Sequence, residues 1–183
     1  MKDIGLLILR LTSGGLVAAH GLQKLTGVWS GPGLKGTAGF MEAIGLKPGH
    51  YWGTAAAVSE TSGILTALGF LHPLGPLGTL SAMTMAAGTV HRGKPVWTAA
   101  GGAELPLTNI GTAGALLFTG PGKISFDALF GIRLPRVLVA LAMMCAAGAV
   151  AYGLQSAQSA QSAAAGSETL REEVQSGEAS HSS

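Results

Sequence analysis

The stretch from Gly5 to Leu25, GLLILRLTSGGLVAAHGLQKL, constrains this chain most. It is long and apolar enough to cross a bilayer, which takes about 20 residues at about 1.5 Å rise each. Yet it carries Arg10, His20 and Lys24. At about 100° per residue, Lys24 falls about 40° from Arg10 around the helix axis and His20 about 80° away. The three share one stripe with Ser13, Gly14, Val17 and Gly21, and the rest of the circumference is aliphatic. A cation at membrane depth is costly unless it faces a protein interior or a water-filled cavity. The remaining chain is therefore expected to supply partners for that stripe.

Composition agrees with a membrane setting. Apolar residues make up 48% of the 183 positions and charged ones only 11%, against a usual charged share of about 25%. The net charge of +2 is too small to argue for nucleic acid, and no basic patch interleaves with aromatics. The lone cysteine, Cys145, excludes an intrachain disulfide or a CxxC redox pair and reads as a small buried hydrophobe. The opening residues resemble a signal peptide in their Lys-then-apolar order. Arg10 interrupts them and no small-x-small site follows, so they read as a retained first span.

Further apolar runs follow. The sequence predicts spans over about Ile4–Lys24, Trp52–Leu71, Leu74–His91 and Glu104–Thr119, with an interfacial helix over Thr37–Leu46 in the Gly-rich first connection. Trp29, Tyr51 and Trp52 suit a membrane–water boundary. Ser125 reads as an N-cap with Asp127 in the first turn of a short helix. A fifth apolar run covers Pro135–Leu154, and the Ser/Ala/Gln-rich tail after it reads as disordered. The expected fold is an all-α membrane protein: a four-helix transmembrane bundle with a fifth C-terminal transmembrane helix. Its parts are a four-helix membrane domain over residues 1–131, the extra helix over 132–154 and the tail over 155–183.

Each expected span shows one polar or small face. Span 2 places Glu60 with Ala56, Gly63 and Ala67, and small residues let helices approach closely in lipid. Span 3 aligns Ser81, Thr84, Gly88 and His91; span 4 aligns Glu104, Thr108, Gly111 and Ala115. With the N-terminus on side A, the helical rise puts Glu60 about 12 Å in from the opposite side B. His20, Lys24, Glu60, His91 and Glu104 are then expected to converge in the B half, with Arg10 reaching toward Glu60. Two readings stay open at this point: a polar intramembrane pocket with a function, or charges that set helix registry. A metal site is weakly supported, because no close His pair or Glu-x-x-His spacing occurs.

LRLTSGGLVAAHGLQKL, SETSGILTALGF, TVHRGKPVWTAAGGAEL and GPGKISFDALFG together resemble the DoxX family of small bacterial membrane proteins. The resemblance covers about Ile4–Gly131, and the family unit it implies has four spans. It also implies a multi-pass protein of the bacterial inner membrane, linked to quinone or to thiol and sulfur compounds as a subunit of a redox system. On that reading Glu60, His91 and Glu104 exchange protons with a bound quinone, and Arg10, His20 and Lys24 stabilise negative charge on it. The expected partners are the lipid bilayer, a soluble redox protein and further copies of the chain, with no nucleic acid. The alternative is a non-enzymatic membrane scaffold or small-molecule transporter whose ionisable cluster is buried.

Overall fold

A computed structural model describes residues 1–181, and helices are its only regular elements among them. The first, α1 (Lys2–Thr26), is the Arg10 stretch, extended by a residue or two at each end. Gly27, in the left-handed conformation, stops it. Inside α1, Arg10–Gly14 forms a π-helical turn, one residue wider than its neighbours. The interfacial helix α2 (Gly33–Ala43) begins earlier than Thr37, because Gly31 and Pro32 already turn the chain.

The expected second span is divided into α3 (Gly49–Thr61) and α4 (Gly63–Leu68). Ser62 causes the break. Its hydroxyl donates to the Ser59 carbonyl at 2.6 Å, the acceptor that the Gly63 amide would otherwise use. A second contact joins the same hydroxyl to the Gly75 carbonyl of the next helix at 3.3 Å. Helix α5 (Leu74–Thr89) and helix α6 (Glu104–Thr119) follow, then the short α7 (Phe126–Phe130). Ser125 caps α7 as expected, its hydroxyl accepting from the Ala128 amide.

The last helix, α8 (Arg136–His181), runs through both the fifth apolar stretch and the tail expected to be disordered. The composition of that tail cannot build a core of its own. Its Ala and Gln residues are nevertheless good helix formers, and extending an existing helix avoids the cost of nucleation. Packing also passes Leu154, because Ala157 is buried against Met41 and Leu46. Cys145 lies exposed on α8, not buried, since only one face of this helix meets the others.

Helix α5 is central and packs on α3, α4, α6 and α8. The C-terminal half of α1, Gly15–Thr26, packs on α3, and α1 meets α4 at the π turn and just beyond it. Among the described residues, two helices are by length and composition able to cross a membrane, Lys2–Thr26 and Arg136–Ser167. At 16 residues each, α5 and α6 measure about 24 Å.

Glycines set the α1–α4 approach. A methyl group on Gly14 would lie 2.7 Å from both the Ala67 amide and the Gly63 carbonyl. Gly14→Val is therefore expected to destabilise the detergent-solubilised protein by about 1–3 kcal/mol through overpacking. The same change at Gly15, where a Cβ meets nothing within 4 Å, serves as the control. Equal melting temperatures for the two variants would refute this close packing.

Candidate functional site

Helix α1 brings Lys24 to the end of α3, where its ammonium forms an ion pair with Glu60 Oε1. Gly21 makes this possible. It lies so close to the backbone of Glu60 and Thr61 that no side chain fits between the helices there. The Glu60 side chain is only 6% exposed, whereas that of Lys24 is 30% exposed and leads outward. The second carboxylate oxygen, Oε2, is buried and has no hydrogen-bond partner. An unpartnered buried carboxylate oxygen carries a desolvation penalty that a donor from a ligand or water would relieve.

That carboxylate stands in the wall of a cavity of about 370 Å³ between α2, α3, α5 and α8. Ligand pockets commonly fall between about 300 and 1,000 Å³, with mostly apolar walls and few polar groups. Here the walls include Phe40, Trp52, Leu77 and Met85, and the charged groups among the lining residues are Lys24 and Glu60.

Arg10 does not pair with Glu60, contrary to expectation. It is 2% exposed and turns toward side A, where its guanidinium donates to the Ile124 carbonyl. Gly69, at φ +63°, leaves the space this guanidinium occupies. The carboxylate that acts on it electrostatically is Asp127. Asp127 is itself buried and accepts from the amides of Leu71 and His72 at 2.8 Å each, gripping the turn that joins α4 to α5. Burial holds His72 below the ordinary imidazole range. The Asp127 carboxylate and a bond to the Leu117 backbone oppose that shift, and the Arg10 charge adds to it.

The remaining expected members do not join Glu60. His20 is exposed. His91 Nδ1 meets the Gly101 carbonyl at 2.7 Å, and Glu104 accepts from the Thr98 amide at 2.9 Å. These two residues fasten opposite ends of the loop over residues 92–103 and do not line the cavity. The convergence expected in the B half thus reduces to Lys24 and Glu60. Among the described residues, no three His, Cys, Asp or Glu side chains come together as a metal-binding group.

Sequence reasoning took Asp127 only as a first-turn acid and missed its hold on the 71–72 amides. The available signal was its place in the GPGKISFD stretch beside a chain that buries an arginine. The contribution of α8 to the cavity had no signal of its own, since its inward residues are alanines and a valine.

Residues 5–92 match the family model described as DoxX. The matched part contains Arg10, His20, Lys24, Glu60 and His91; Glu104, Asp127 and α8 lie beyond it. No curated protein and no solved structure matches the chain.

Proposed function

We propose, from the match of residues 5–92 to the DoxX family model, that the chain is a multi-pass subunit of the bacterial inner membrane in a redox system acting on quinone or thiol-sulfur compounds, with its site at Lys24 and Glu60. On this reading α1, α3–α4, α5 and α6 form the four-span unit. The observation that carries it is the free Glu60 Oε2 in the wall of an apolar cavity. A quinol head group supplies the hydroxyl that this oxygen lacks, and the apolar walls receive its ring and chain.

The chemistry assigned to the chain is proton handling. Oxidation of a quinol releases two electrons and two protons. Glu60 Oε2 accepts one hydroxyl proton as general base, while Lys24 steadies the negative charge left on the ring oxygen. Lys24, partly exposed, also offers the proton a way toward water on side B. The second proton leaves by the same carboxylate after the first has passed on, and a soluble redox partner takes the electrons. His91 and Glu104 have no part in this scheme, since both hold the 92–103 loop. A scaffold reading draws on one different observation: the buried Arg10–Asp127 group joins α1 to the α4–α5 turn and to α7.

The test is extraction of detergent-purified protein followed by mass spectrometry of bound quinone. The wild type is expected to carry quinone near stoichiometry and Glu60→Gln to lose most of it, with His91→Ala retaining it. Wild type and Glu60→Gln with equal content, or a wild type without quinone, would overturn the proposal in favour of the scaffold.

A further inference from the structure

The cavity beside Glu60 has a wall that lies outside the matched residues 5–92. Ala146, Ala149 and Val150 of α8 line it, with Ala149 at its open edge. Below them Gly153 lets α8 close on α3 and α5, since a methyl there would lie 2.7 Å from both Trp52 and Met85. The Trp52 ring stacks on Tyr152 with centroids 6.1 Å apart. Further along, Leu154 covers Gly88, and Ala157 seals against Met41 and Leu46. Along the rest of its apolar length α8 is almost wholly exposed. Its buried residues, Gly153 and Ala157, lie where it seals this space, while Val139 and Met143 nearer its start border a second one. Without α8, the space between α3 and α5 would be a groove open to lipid.

We infer that α8 is the selectivity wall of the Glu60 site: Ala146 and Ala149 set its width, so that it admits an amphiphile with a slim alkyl or isoprenoid chain and a hydrogen-bonding ring head. Two independent features point to such an occupant, the unpartnered and buried Glu60 Oε2 and the apolar lining that continues from it to α8. Only the identity of the head group rests on the function proposed above; the wall itself does not depend on it. A bulkier residue at position 149 narrows the space without touching Lys24 or Glu60.

Trp52 lines the cavity and reports its occupancy once Trp29 and Trp97 are replaced by Phe. In this single-tryptophan protein, quenching is titrated with a decyl-substituted benzoquinone and with 1-bromodecane, which has the chain and no head. Ala149→Leu is expected to weaken quenching by both probes about tenfold, the effect of one or two misplaced methylenes in an apolar pocket. Ala149→Val should fall between, which keeps the comparison decisive if the leucine variant folds poorly. Ala147→Leu, at a residue that does not line the cavity, should match the parent. Equal quenching in the parent and both Ala149 variants, or no quenching of the parent by bromodecane, would overturn the inference. Bromodecane responding as expected, with the quinone no better than bromodecane and indifferent to Glu60→Gln, would leave the wall standing and remove the quinone reading.

Discussion

Asp127→Ala is expected to destabilise the protein by about 3–5 kcal/mol, the usual cost of stripping one partner from a buried charged group. The variant loses the acceptor for two amides, Leu71 and His72, and the carboxylate whose charge acts on Arg10. Arg10 cannot escape to water, because it is 2% exposed and two of its nitrogens, Nε and Nη1, already have no partner. Asp127→Asn keeps one acceptor oxygen and the shape, and should lose about half as much. Thermal unfolding in detergent checks the order wild type, Asn, Ala. Adding Arg10→Met to Asp127→Ala should recover part of the loss, since it removes the stranded cation. An alanine variant that melts with the wild type would reduce Asp127 to a helix-capping acid.

The second large effect is an asymmetry within the Lys24–Glu60 pair. Lys24→Met leaves a carboxylate that is 6% exposed with no counter-charge, and about 3–5 kcal/mol of destabilisation is expected. Glu60→Gln leaves a lysine that is 30% exposed and can straighten into water, for about 1 kcal/mol. Stability and function should therefore separate: the methionine variant folds poorly, whereas the glutamine variant folds and fails to hold quinone. Melting temperatures of the two variants decide the first half. The reverse order would mean that Lys24, not Glu60, is the trapped member.

What the sequence could disclose follows from what each residue type demands. A polar stripe on an apolar helix has to be buried, so the inward face of α1 and the burial of Glu60 were legible. Ser125 as a cap was legible too, because its hydroxyl has a local task. The pairing of charges was not. Counting about 100° per residue assumes an unbroken α-helix. The π turn at Arg10–Gly14 inserts a residue and rotates everything before it out of register with Lys24. Arg10 thus swings away from Glu60 to the GPGKISFD segment, a contact more than a hundred positions distant in the chain. His91 and Glu104 were placed at the right ends of their helices, but the backbone groups of the 92–103 loop claim both side chains. A pocket beside Glu60 was expected as a polar one; its mostly apolar walls were not legible, because His20, His91 and Glu104 stay out of it and α8 supplies one side.

The interruption at Ser62 leaves the electrostatic setting of the carboxylate simple. Glu60 sits in the last turn of α3, and α4 opens at Gly63, one residue beyond the break. The negative carbonyl end of the first helix therefore meets the positive amide end of the second, and the two partial charges offset each other. The Lys24 ammonium answers for the Glu60 carboxylate alone, through Oε1, and a hydrogen-bond donor offered to Oε2 meets an oxygen that no other group has claimed.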